Sequence, residues 1–146
     1  MIDTPQFGAS DVAELLDETE ATVRRWHHSG LQMFFGRKEG HSVLYTARDV
    51  AGFAIARDLV RIGFPPILAG RIGASVTYRN PELDTVLEGS PAEIAMIAPP
   101  PGSGIHMDRH AWRVPAQTNA RIELPVGRTF ADVTEKATRL RNARAH

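Results

Sequence analysis

Apolar residues recur at helical spacing through the first half of the chain, and polar or glycine-containing breaks cut the pattern into short pieces. Val12, Leu15 and Leu16 mark one helix starting at Ala9, with Ser10 or Asp11 available to cap it. After Asp17-Glu18-Thr19 the pattern predicts a second helix from Glu20 through His28, apolar at Val23 and Trp26 and ended by Gly30. Thr22, Arg24, Arg25, His28 and Ser29 then face outward. The apolar runs Leu31–Phe35 and Val43–Tyr45 flank a charged, glycine-bounded stretch, which predicts a β-hairpin with Arg37, Lys38 and His41 at its tip. Thr46, with Asp49 three residues on, caps a third helix carrying Val50, Phe53, Ile55, Leu59 and Ile62 and ending near Gly63. Pro65-Pro66 opens a short fourth helix with Ile67, Leu68 and Ile72.

Two short helices that share an apolar face fix each other at a steep angle and leave the second prominent enough to enter a major groove. Arginines on its outer side suit phosphate and guanine, because a planar guanidinium pairs with either through two parallel hydrogen bonds. A charged outer face is also what any amphipathic helix shows to solvent. The basic hairpin that follows is what shifts the reading toward DNA.

This order of parts resembles the MerR family of winged-helix transcription regulators. The resemblance rests on Val12-Ala13, Leu16, Thr22-Val23-Arg24-Arg25-Trp26, Gly30-Leu31, Arg37, Gly40, Tyr45, Asp49-Val50, Leu59, Gly63 and Ile67, over the first half of the chain. It implies that Thr22, Arg24 and Trp26 lie near phosphates or bases and that Arg37 and Tyr45 contribute from the wing. Related modules occur in phage excisionases and in some phage terminase small subunits, so the fold does not fix the task. Three departures stand out. Asp17 or Glu18 replaces the glycine that the family favours between the first two helices, so a non-glycine residue must take the tight turn. The stretch Gly40–Tyr45 is one residue longer than the usual wing and lacks its arginine. Gly70, Gly73, Asn80 and Pro81 interrupt any long dimerisation helix.

Composition adds little at the global level, since 17 basic residues balance 17 acidic ones and 42% hydrophobic content indicates an ordered chain. Locally, residues 20–48 hold Arg24, Arg25, Arg37, Lys38 and Arg48 against Glu20 and Glu39. That surplus predicts modest, salt-sensitive affinity per subunit, and hence a dimer or a partner. With no cysteine there are no disulfides, zinc ribbons or thiolate metal sensors. No apolar run approaches a membrane span and no signal peptide is evident at the N-terminus, so a cytoplasmic location is expected.

Beyond Ser75 the pattern changes. A short helix is expected through Leu83–Leu87, ending at Gly89, and a strand over Ala92–Ala98. The turn Pro99–Gly104 leads to a returning strand over Ile105–Val114, with a third strand over Ala120–Leu124. A last helix runs from about Thr129 to Ala143 with Phe130, Val133, Ala137 and Leu140 as its buried stripe. On the returning strand His106, Asp108 and His110 share one side, a set that can ligate a metal but also the alternation of any solvent-facing strand; no metal or other cofactor is expected. Lys136, Arg139, Arg141 and Arg144 form a basic tail, read either as cations at a helix C-terminus or as a phosphate-binding extension. No nucleophile or phosphate-loop signature is present, so no enzymatic activity is expected.

The sequence therefore predicts a mainly α N-terminal winged helix-turn-helix followed by a small α+β C-terminal domain. Residues 1–75 would be the DNA-binding part, 76–91 a linker and 92–146 a dimerisation or partner-binding domain. The expected function is a transcription regulator that binds double-stranded DNA as a homodimer on an inverted repeat, with RNA polymerase as a further partner. The candidate DNA-binding residues are Thr22, Arg24, Arg25, Trp26, His28, Arg37, Lys38, His41 and Tyr45. The alternatives are an excisionase-like or phage packaging DNA-binding protein, and a protein-interaction adaptor that has lost DNA binding.

Overall fold

The structure is a computed structural model, and it describes residues 2–30, 34–97 and 121–145. Helices dominate, in the order α1 (Ala9–Leu15), α2 (Glu20–Ser29), α3 (Ala47–Arg61), α4 (Pro66–Tyr78), α5 (Pro91–Ala95) and α6 (Val126–Ala145). Between α2 and α3 lies the antiparallel hairpin β1 (Arg37–Glu39) and β2 (Ser42–Leu44). β3 (Leu87–Gly89) pairs antiparallel with β4 (Ile122–Leu124).

The first helix starts at Ala9, but neither Ser10 nor Asp11 is its cap. Gly8 is the N-cap, and Asp11, at the third helical position, accepts the Gly8 N–H through Oδ2 at 2.9 Å. The tight turn between α1 and α2 falls on Asp17, with φ of 55°. Thr19 then caps α2 by accepting the Thr22 N–H at 3.1 Å, and Gly30 ends it. The turn is also held from outside. Arg57 of α3 donates Nη1 to the Leu16 carbonyl at 2.7 Å, and Glu18 Oε1 lies 3.3 Å from Arg57 and 3.0 Å from Arg61. A guanidinium thus satisfies a carbonyl left open at the end of α1.

The expected third helix and its Thr46–Asp49 capping box are present: Thr46 accepts the Asp49 N–H at 2.9 Å, and Asp49 accepts the Thr46 N–H at 3.0 Å. Burial pushes the Asp49 carboxyl up despite these bonds. α4 comes up against the backbone of α3 because Gly73 carries no side chain there, while the missing side chain of Gly52 makes room for the Phe35 ring. A Cβ on Gly73 would lie 2.4 Å from the Gly52 carbonyl oxygen, so an alanine there would force the helices apart.

α6 packs on the other side of α3, where Val126, Val133 and Ala137 join the same buried cluster as Val50, Phe53 and Leu68. Phe130 and Leu140 border that stripe half-buried, and the helix starts at Val126, earlier than expected. At its far end Arg144 is ion-paired with Asp11 Oδ1. Buried Arg71 of α4 donates Nη2 to the Ala95 carbonyl at 2.5 Å, tying α4 to α5.

Two expectations for the second half are corrected. The apolar run after Pro91 is the helix α5, not a strand, because Ser90 and Glu93 close a reciprocal cap. Ser90 Oγ accepts the Glu93 N–H at 3.2 Å, and Glu93 Oε1 accepts the Ser90 N–H at 3.0 Å. No helix spans Leu83–Leu87; Leu83 and Asp84 form a turn, and Leu87 opens β3 opposite Leu124. The third expected strand is found as β4, whereas the returning strand over 105–114, with His106, Asp108 and His110, lies outside the described residues.

Two outcomes follow for stability. Asp17→Gly should raise the free energy of unfolding by up to about 1 kcal/mol, since left-handed backbone costs a side chain about 1–2 kcal/mol and glycine gives part of that back as chain entropy. Arg57→Met should lower it by about 1.5–3 kcal/mol, the range for a hydrogen bond to a charged donor. Urea unfolding measures both, and a destabilised Asp17→Gly protein would mean that the side chain, not the backbone angle, sets the turn.

The Asp11–Arg144 pair supplies a pH test. The Arg144 guanidinium holds the Asp11 carboxyl below its ordinary 3.8, so the pair stabilises the fold above that pH and ceases to do so as pH falls through the lower, folded-state value. Wild type should therefore melt higher than Arg144→Gln at neutral pH, and the difference should close below pH 3.8. A difference that persisted in strong acid would assign the effect to packing.

Candidate nucleic-acid interface

Val23 is the buried anchor of α2, and the 3.6-residue period then places Arg25 and His28 on the opposite side with Thr22 and Arg24 flanking them. Arg24, Arg25 and His28 are exposed, and Thr22 is half-buried. Arg24 lies 3.8 Å from Glu20 one turn back, an exposed i, i+4 pair that leaves its guanidinium available. Arg25 Nη2 donates to the Thr22 hydroxyl oxygen at 3.0 Å.

The two aromatic candidates stand behind this surface. Trp26 is half-buried with its ring 5.9 Å from that of Phe53 at 23°, so it anchors α2 to α3. Tyr45 is 3% exposed, its ring edge-on to Phe53 at 5.4 Å. Burial, and next the Asp49 carboxylate, push its phenol up to about 12. Its backbone pairs with Phe7.

Of the residues expected at the hairpin tip, His41 is in the turn and Arg37 and Lys38 are in a strand. That strand is β1, and the two-residue turn is Gly40-His41. Gly40 has φ of 60°, which a two-residue hairpin turn requires of its first position and which a side chain resists. Arg37, Lys38 and His41 are all exposed. Cross-strand partners share a face, so Lys38 lies on the side of Val43 and Arg37 on the side of Leu44. Val43 and Tyr45 line a cleft of about 170 Å³ with Ala9, Val23, Arg24 and His27. Arg24 of α2 lines this groove between helix and hairpin, and Lys38 is the cross-strand partner of Val43 on its other wall. His27 joins Arg24 there, and its place three residues on was the signal that sequence reading passed over.

Arg48, counted with the local basic surplus, is not part of this surface. Its Nε donates to Asp3 at 2.7 Å and its Nη1 to the Thr77 carbonyl at 2.5 Å and to Asn80 at 2.6 Å. Its guanidinium carbon sits 5.9 Å from the Phe130 ring centre. The hydrogen bond from Arg48 holds Asp3 below the usual carboxylate range. Arg48 thus joins the N-terminus, α4 and α6. Lys136, Arg139 and Arg144 of the basic tail are exposed, but they stand beside acidic groups. Lys136 and Arg139 line a cleft with Glu14 and Asp17, while Arg139 pairs with Glu135 at 2.6 Å and Arg144 with Asp11.

Among the described residues no group of histidine and carboxylate side chains is arranged to hold a metal ion, and no helix is long and apolar enough to cross a membrane. Neither a curated protein nor a solved structure matches the chain. Residues 8–72, which hold α1, α2, the hairpin, α3 and the first half of α4, match the family model described as MerR HTH family regulatory protein, and the N-terminal region is MerR-like.

Proposed function

We propose that this chain is a sequence-specific transcription regulator that binds double-stranded DNA as a homodimer on an inverted repeat. α2 enters the major groove, and the β1–β2 hairpin acts as a wing. The observation that carries this reading is the grouping of exposed cations. Arg24, Arg25 and His28 lie on the free side of a helix whose other side is anchored, and Lys38 is exposed on the neighbouring hairpin, paired across it with Val43, which lines the same groove as Arg24. Arg25 and His28 face bases, Arg24 and Lys38 face phosphates, and Arg37 and His41 lie toward the flanking backbone. Trp26 and Tyr45 support the surface from behind.

Dimerisation is assigned to the part after the DNA-binding half, residues 92–146 with the adjoining segment 76–91. Leu83, Val86 and Met96 are 56%, 48% and 53% exposed there, a concentration of large apolar side chains that a partner surface would cover. A symmetric pair would hold two α2 helices about one turn of DNA apart, or a multiple of it. RNA polymerase is the further partner that a promoter-bound regulator would meet. A second reading, an excisionase-like or packaging protein, keeps the same surface and differs in where it binds: one attachment or packaging site rather than many promoters.

Arg25→Ala should weaken binding to the selected duplex by about 1–3 kcal/mol while leaving the melting temperature within experimental error of wild type. Equal losses of stability and affinity would make the residue structural. In sedimentation the full chain should run as a dimer, and Val86→Asp with Met96→Asp should give a folded monomer that binds the half-site weakly. A double variant that stays dimeric would move the interface elsewhere.

A further inference from the structure

We propose that Thr22 and Arg25 form a single donor-only unit that selects guanine within the half-site, with Thr22 positioning the arginine. The proposal rests on the DNA-binding reading above and adds the base. Its basis is the direction of three hydrogen bonds in the first turn of α2. The Thr19 hydroxyl oxygen accepts the Thr22 N–H at 3.1 Å and donates to the Thr22 hydroxyl oxygen at 3.0 Å. The same Thr22 oxygen accepts from Arg25 Nη2 at 3.0 Å.

A hydroxyl has two lone pairs and one hydrogen. Both lone pairs of Thr22 are occupied, so toward a ligand it can act only as a donor. Arg25 has no acceptor in any state. Its tie to Thr22 restricts a long side chain that would otherwise lose rotamer freedom on binding, and it leaves Nη1 and a second Nη2 hydrogen for two acceptors. Thr22 and Arg25 therefore offer hydrogens and no lone pairs. In the major groove guanine presents two acceptors, N7 and O6, whereas adenine and cytosine each present an amino donor and thymine one acceptor beside a methyl group. On adenine one donor can pair with N7 while the other faces the amino group, and on cytosine there is only an amino group, so each leaves a donor unpaired and is disfavoured. Guanine is accepted.

The test starts by selecting duplexes from a randomised pool with the full chain. The affinity of each variant is then compared on the selected duplex and on the same duplex carrying 7-deazaguanine, which lacks the N7 acceptor, at the guanine nearest the start of α2. Wild type and Thr22→Ser should lose about tenfold or more on the deaza duplex. Arg25→Ala should bind both duplexes alike, and Thr22→Val should show most of that discrimination gone. The cap survives in both Thr22 variants because it uses the backbone N–H of residue 22. If Thr22→Val weakens both duplexes equally, the threonine is a phosphate contact and the proposal is overturned. It is also overturned if Thr22→Val discriminates as wild type does, or if the selected half-site contains no guanine. A pool that enriches no duplex overturns the DNA reading itself, and this proposal with it.

Discussion

The Phe53 ring is fully buried and meets three other rings that come from three different segments. Trp26 belongs to α2, Phe35 precedes the hairpin with its ring 4.6 Å away, and Tyr45 follows it. Each aromatic pair adds about 0.5–1.5 kcal/mol beyond the area it buries. The cluster also fixes directions. Once Trp26 lies on Phe53, the opposite side of α2 must face solvent; once Phe35 and Tyr45 bracket the same ring, both ends of the hairpin are set beside that helix. The groove that Arg24 and His27 line with Val43 and Tyr45 is the outward consequence.

α3 can present Phe53 this way only because its own position is constrained on several sides. The glycine crossing lets α4 approach to backbone contact, and Arg57 and Arg61 reach back to hold the turn between α1 and α2. α6 covers another side of α3 and contacts α1 through Arg144 and Asp11. Hence α6 bears on the same helix that orients the exposed cations of α2. On α6, Arg144 is paired with Asp11 of α1 and Arg139 with Glu135 of its own helix, whereas Arg24, Arg25, Arg37 and Lys38 are exposed on α2 and the hairpin.

The first four helices were legible because each carries its own local information: a period of 3.6, a cap at Thr19 or Thr46, a stop at Gly30 or Gly63, a proline start at Pro66. The non-glycine turn was legible in the same way, as falling on Asp17 or Glu18, and it falls on Asp17. What local pattern hid was anything decided at a distance. β3 exists because Leu87 meets Leu124, a pairing that no window of residues reveals. α5 was within reach, since Ser90 and Glu93 spell a capping box, but the apolar run after them dominated the reading. At the interface the sequence identified the exposed cations of α2 and the hairpin. It could not show that Arg48 is committed to Asp3 and Thr77, or that Tyr45 and Trp26 turn toward Phe53, because the partners lie tens of residues away or on another helix.

The most direct measurement is an amide chemical-shift map of the full chain titrated with the duplex it selects. One reading surface built from α2 and the hairpin requires that amides of residues 20–29 and 37–44 shift together, at one stoichiometry and with one salt dependence, while those on the exposed side of α6 stay in place. Shifts concentrated in residues 126–145, with α2 and the hairpin unmoved by a duplex that binds, would contradict it.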